Sequence, residues 1–305
     1  SHYSWSCRSR TGSGLGCPDW PKCFGNWVPP THVSQLPMDY KEIFKVAGKT
    51  IADFSPFKTW TEYINRLLGV FLGILILVKF IFSFSSSVKK YDHNLPWYSG
   101  GILLLIIMQG GLGALVVFTH LKPYLITAHM IVAIVLLFSL FRLQKYCIDL
   151  SETTLFKEGD SLSLTLTKLL TGVIFIQIIL GTQVRQKVDV ILNHKIDISS
   201  FNLSSVSIIE KLGNVFLTHR SFSILIVLLF LILLRRLHRN TFNREAFSSA
   251  FLAFVVVLRN VITGVALNYF GFPFYAQPLH LFFAILSISI LYKLSLTLRG
   301  TLLND

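Results

Sequence analysis

Four residues able to carry a charge, Glu62, His129, His219 and His280, each stand near the first turn of a long apolar segment. An ionisable group in hydrocarbon is costly, so each marks a functional site in its segment. Carboxylate and imidazole are side chains that move protons, and imidazole also ligates iron. Two helices of a bundle can aim imidazoles at one iron from opposite sides, so His219 and His280 predict a pair of axial ligands. Either one alone would read as a residue snorkelling to the interface or capping a helix. Their repeat-related placement favours a pair.

The repeat is explicit. Gln109 stands four residues before Gly113 and twenty before His129; Asn260 stands four before Gly264 and twenty before His280. Asn65-Arg66 opens the first set as His219-Arg220 opens the second. Duplicated membrane halves with a site in each are thereby predicted. The helix ahead of the second set ends Gln177-x-x-x-Gly181-Thr182-Gln183-Val184-Arg185. Its counterpart falls before Arg10, so the first of eight helices is expected to be missing. By the same repeat the partner of His129 is Asn65, a poor iron ligand. The first site then has His129 on one face and an open or weakly held position on the other. An open position permits chemistry, whereas a fully ligated iron mainly passes electrons. His120 has no repeat partner and reads as a solvated loop residue.

The elements that must position these residues are membrane helices. The 305 residues are 52% hydrophobic and 14% charged, with a mean hydropathy of +0.60. Seven apolar stretches fall near 60–84, 98–118, 124–142, 165–185, 215–234, 248–268 and 277–298. Each approaches the ~20 residues that cross ~30 Å of hydrocarbon, where long unbroken runs must be helical. The predicted fold is an all-α, polytopic membrane helix bundle of two pseudo-repeated four-helix halves with seven transmembrane helices present. The net charge of +13 does not point to nucleic acid. Lys89, Lys90, Arg142, Lys145, Lys157, Arg235, Arg236, Arg239 and Arg244 fill alternate loops, and Arg299 lies at the C-terminal end. That distribution puts loops 85–97, 143–164 and 235–247 and the C-terminus in the cytoplasm. It puts segments 1–59 and 186–214 outside, and all four marked helices then start from one side, with their ionisable groups at one depth. The organisation reads as an outer segment 1–59, a first-half bundle 60–142, a cytoplasmic loop 143–164 and a second-half bundle 165–298.

Glu62 lies one turn before Asn65 and so shares its face, pointing at the same cavity as His129. A carboxylate there can act as acid or base, or simply pair with Arg66 or Lys58. Arg66 and Arg220 follow the two repeat positions and suit the propionates of a tetrapyrrole, since Arg forks onto carboxylates. Snorkelling to lipid phosphate is the alternative. Cys17 and Cys23 bracket Pro-Asp-Trp-Pro-Lys in the outer loop, where a disulfide or a redox dithiol can form. Their spacing is not that of a zinc site. Cys147 and Cys7 carry no evident chemistry. The run Gly12-Ser-Gly-Leu-Gly16 follows no strand and opens no helix, so it is a turn segment rather than a phosphate loop.

Several of these runs resemble bacterial haem A synthase. They are Thr11-Gly-Ser-Gly-Leu-Gly-Cys-Pro-Asp-Trp-Pro-Lys-Cys23, Trp27-Val-Pro-Pro30 and Trp60-Thr-Glu-Tyr-Ile-Asn-Arg-Leu-Leu-Gly69. Gly111-Leu-Gly-Ala-Leu-Val-Val117, Gly181-Thr-Gln-Val-Arg185, Thr218-His-Arg220 and Gln277-Pro-Leu-His280 extend the likeness over residues 10–298. The resemblance implies eight helices in two similar halves and a multi-pass protein of the bacterial inner membrane. It implies an oxidoreductase that hydroxylates the C8 methyl of haem O in successive steps, loss of water giving the formyl group of haem A. His219 and His280 match ligands of an auxiliary haem b, His129 the substrate haem ligand, Glu62 the catalytic glutamate, and Cys17 and Cys23 an outer cysteine pair. The partners implied are haem O, the farnesyltransferase that makes it, an electron donor of unidentified kind and the lipid bilayer, with no nucleic acid and with room for a homo-oligomer. Many members carry a histidine where Asn65 stands, and some carry a second outer cysteine pair absent from 186–214. Two other classes compete: a di-haem cytochrome b that only carries electrons, and a haem-handling membrane transporter.

Overall fold

Proline in the first turn is tolerated because its missing N–H would find no helical partner there. Three helices carry it at their first or second residue: α2 (Pro56–Phe82), α3 (Leu95–Phe118, with Pro96) and α4 (Pro123–Ser151). In the computed structural model residues 15–85, 92–151, 160–196, 211–239, 244–270 and 275–300 are described. A 3-10 turn at Val33–Gln35 and the short α1 (Tyr40–Ile43) precede these helices. After them come α5 (Ser161–Ile196), α6 (Asn214–Arg239), α7 (Arg244–Tyr269) and α8 (Ala276–Gly300). The described residues form no strand, only isolated bridges at Cys23–Asn26 and Val46–Lys49. Seven helices, α2 to α8, are long and apolar enough to span a bilayer. Helices satisfy their own backbone in hydrocarbon, and the chain is a multi-pass, all-α membrane protein.

Two boundaries differ from the sequence expectation. The fourth predicted span, 165–185, and the start of the long outer segment 186–214 are one helix, α5, reaching Ile196. Hydropathy loses the helix where polar residues begin. Its extension is held instead by Arg185 paired with Asp189 one turn on, 3.0 Å, and by Val188 and Leu212 buried among Val184, Ile191 and Phe216. The predicted cytoplasmic loop 143–164 is likewise shortened, with helix to Ser151 and again from Ser161. Asp160 starts α5, accepting from the Leu162 N–H and the Ser163 hydroxyl, as an N-cap does. Arg236 of α6 forks onto the same carboxylate at 2.6 and 2.7 Å. The expectations placed on residues 1–10, on Lys89, Lys90 and Lys157, and on 197–210 fall outside the described residues.

The chain divides into two units, one over Thr11–Leu143 and one over Gln144–Asp305. In the first, α2 packs along α3, and the loop ahead of α2 has its own small core. Cys17, Cys23, Phe24, Val46 and Ile51 are buried there against Tyr40, Phe44 and Phe54, with Phe24 edge-on to all three rings. In the second unit α5 packs on α6 and α8, and α7 packs on α6 and α8, closing a ring of four helices. Small side chains permit that closeness: Ala246, Ala250 and Ala253 of α7 are buried, as are Ser163, Thr167 and Thr171 of α5. Thr167 and Thr171 return their hydroxyls to carbonyls four residues back in their own helix.

Candidate functional site

Glu62 lies in the second turn of α2, and Arg66 lies one turn further along the same face. The two pair at 2.5 Å through Glu62 Oε1. The N–H groups of Gly16 and Cys17 donate to Glu62 Oε2 at 2.8 and 3.2 Å. Arg66 donates onward to the carbonyls of Cys17, Asp19 and Lys22. The Thr59 hydroxyl donates to the Gly16 carbonyl at 2.8 Å, and Cys17 and Cys23 are joined as a disulfide with no exposed surface. Asp19 closes the loop by accepting from the Phe24 and Gly25 amides. Glu62 and Arg66 thus bolt the preceding loop to the start of α2. A β-carbon on Gly16 would come 2.6 Å from the Lys58 carbonyl oxygen, so that glycine is required by close approach. Arg66, for which the sequence offered a propionate or an ion pair with Glu62, here makes that ion pair and holds the loop carbonyls. Asn65 is exposed, and among the described residues no hydrogen bond joins Glu62 or Asn65 to His129.

His129 lies in the second turn of α4 and faces α3. Its ring rests on Gly113, where a β-carbon would lie 3.4 Å from Cε1. The Gln109 amide nitrogen meets His129 Nε2 at 3.1 Å, and Nδ1 is buried without a hydrogen-bond partner.

His219 and His280 come together in the second unit. Their ring centres are 6.2 Å apart with planes inclined at 62°. His219 rests on Gly181 of α5, and His280 on Gly264 of α7, with Cε1 at 3.4 and 3.1 Å from the respective β-carbon positions. His280 Nδ1 lies 3.0 Å from the Asn260 carbonyl oxygen and 3.1 Å from the Thr263 hydroxyl. Donation from Nδ1–H to that carbonyl leaves the lone pair on Nε2, free to bind a metal. The Gln177 side chain donates to the His219 backbone carbonyl at 2.8 Å, and His219 Nδ1 is buried without a partner. Arg220 is exposed beside His219. Among the described residues no cluster of three or more His, Cys, Asp or Glu could hold a bare ion.

Each histidine therefore sits on a glycine of a neighbouring helix that has a carboxamide residue one turn before it: Gln109 and Gly113, Gln177 and Gly181, Asn260 and Gly264. The spacing was visible in sequence for all three. That Gly181 belongs to His219 was not, because the long segment between α5 and α6 separates them and breaks the spacing the other two pairs share.

The family model described as cytochrome oxidase assembly protein, COX15-CtaA, matches residues 8–292. The chain belongs to that family. It is 34% identical over 119 residues to a heme A synthase of Shewanella oneidensis, covering 39% of this chain and 33% of that protein. It is 28% identical over 187 residues to a heme A synthase of Nitrosospira multiformis, covering 56% and 51%. A heme A synthase of Rickettsia felis is 25% identical over 312 residues, covering 92% and 88%. The chain thus spans about a third and about half of the length of the first two relatives. No solved structure matches it.

Proposed function

We propose that the chain acts in haem A formation, oxidising the C8 methyl of haem O by two successive hydroxylations, after which loss of water leaves a formyl group. The observation that carries this reading is the pairing of His219 and His280. An imidazole centre stands roughly 3 Å from a metal held at its nitrogen, so two rings on opposite sides of one iron stand roughly 6 Å apart. The separation of 6.2 Å fits that arrangement. Two histidines without further protein ligands suit a metal equatorially bound by a macrocycle, whereas zinc takes three or four side chains.

On this reading His219 and His280 hold haem b, which supplies one-electron transfer when bound. The Asn260 carbonyl fixes the His280 tautomer and ring orientation. Gly181 and Gly264 let both rings lie against their neighbours. His129 orients the substrate haem from one side, with no imidazole at Asn65 to close the other. Glu62 acts as acid–base or electrostatic partner at the substrate periphery, its carboxylate preset by Arg66 and two amides. Arg220, exposed next to a ligand, is assigned to a propionate. The protein works in the bacterial inner membrane, with the Cys17–Cys23 loop outside and the C-terminus inside. It takes haem O from the farnesyltransferase that makes it, and receives electrons from a separate donor.

The test is pigment extraction after expression with a haem O-producing farnesyltransferase in a host lacking this activity. Haem A together with a hydroxylated haem O supports the reading. Haem b alone would replace it with an electron-carrying cytochrome, and no retained haem would replace it with a transporter.

A further inference from the structure

The repeat-related histidines His129 and His280 differ at the nitrogen that matters. In the second half His280 Nδ1 faces the Asn260 carbonyl and the Thr263 hydroxyl, and Nε2 keeps its lone pair. In the first half the positions equivalent by repeat to Asn260 and Thr263 are Gln109 and Leu112. Leu112 offers no hydroxyl. Gln109 is one methylene longer than asparagine, and its side-chain amide reaches His129 Nε2 at 3.1 Å. His129 Nδ1, on the ring edge that packs against Gly113, is buried with no partner. Nε2 is thus the nitrogen left for iron, and a carboxamide already engages it. This holds whichever end of the amide faces the ring: an N–H consumes the Nε2 lone pair, and a carbonyl oxygen requires Nε2 to be protonated.

We infer that Gln109 is a displaceable cap on His129, competing with iron for Nε2 and so keeping the haem of the first half exchangeable. The inference rests on the reading of His129 as the substrate haem ligand, and it gives the halves distinct jobs. A haem that serves as relay is held on one side by His280, whose second nitrogen is anchored. A haem that is substrate and then product must leave, and its histidine is returned to a waiting amide. No bond of the reaction is made or broken by Gln109, so it is a positioning residue.

The experiment follows release of farnesyl-bearing haems, haem O and its oxidation products together, from purified protein to excess apomyoglobin. Chromatography of the extracted pigments separates them from haem b, which reports on the second half in the same sample. Gln109→Leu removes the cap, and Gln109→Asn shortens it to the residue of the second half. Each is expected to slow release about threefold to tenfold, the worth of one neutral hydrogen bond, with haem b content unchanged. Release at the wild-type rate or faster in both variants overturns the cap. Should Gln109→Leu misfold and lose haem b, Gln109→Asn decides alone. His129→Leu separates the two levels of the argument. If it abolishes retention of farnesyl-bearing haem while the Gln109 variants release normally, only the cap fails. If it leaves retention and spectrum untouched, His129 is no ligand and the cap falls with it.

Discussion

Gly264 lies so close beneath His280 that a β-carbon there would come 3.1 Å from the ring's Cε1. The equivalent distance from Gly181 to His219 is 3.4 Å, an ordinary contact. The two glycines therefore differ in how much they control their rings. Gly264→Ala must displace His280 by a few tenths of an ångström, while Gly181→Ala need move nothing. Alanine favours a helix over glycine by up to about 1 kcal/mol, so both variants are expected to fold. Gly264→Ala is expected to lower haem b affinity about tenfold, the scale on which displaced supporting groups act on metal sites. Gly181→Ala is expected to stay near wild type. Haem b per protein, by pyridine haemochrome, checks this; equal behaviour of the two variants would contradict it.

Replacing one imidazole of the proposed pair tests it directly. His280→Met is expected to keep haem b in the protein with a shifted absorption band and a raised reduction potential, since methionine ligation raises potentials. His219→Ala is expected to leave an open position that binds carbon monoxide. A spectrum unchanged by either substitution would remove both residues from the iron.

The clasp around Glu62 separates a chemical from a structural role. Glu62→Gln keeps the shape and loses the charge, and is expected to stop haem A formation with haem b retained. Arg66→Lys keeps a charge but loses the fork that reaches three carbonyls, at a cost of about 2–3 kcal/mol to the loop's attachment. Labelling of Cys17 and Cys23 by a maleimide under mild reductant should then rise sharply over wild type. Unaltered protection in Arg66→Lys would show that the loop core alone keeps the disulfide covered.

Asp160 gives a pH prediction. The Arg236 guanidinium, with help from the Ser163 hydroxyl, holds its carboxyl down to about 2 against an ordinary 3.8. A carboxyl lowered on folding stabilises the fold above its ordinary value, and that stabilisation disappears as pH falls toward 2. Asp160→Asn is expected to lower the melting temperature in detergent at pH 7 and to flatten its decline between pH 4 and 2. A melting temperature at pH 7 equal to wild type would show that the pair contributes nothing.

Much of this was legible from residue type and spacing. Apolar runs located seven helices because hydrocarbon leaves no other backbone solution. The twenty-residue spacing found His129 and His280 together with Gly113 and Gly264. The reach of α5 to Ile196 was hidden, because Val188 and Leu212 hold it by packing outside the apolar stretch. The role of Arg66 was hidden for a related reason. Its neighbour in sequence, Glu62, was visible, but the carbonyls of Cys17, Asp19 and Lys22 become its partners only when a loop more than forty residues away folds back. The same fold-back turns Gly16 from a turn residue into a contact point.

The buried hydroxyls of α5 have one more consequence. Ser163 gives its hydrogen to Asp160, and Thr167 and Thr171 give theirs to carbonyls of their own helix. All three hydroxyls are thus satisfied within α5 and its cap, and none donates across to α6 or α8. The seam running inward from Asp160 therefore joins its neighbours by close packing and not by hydrogen bonds from these side chains.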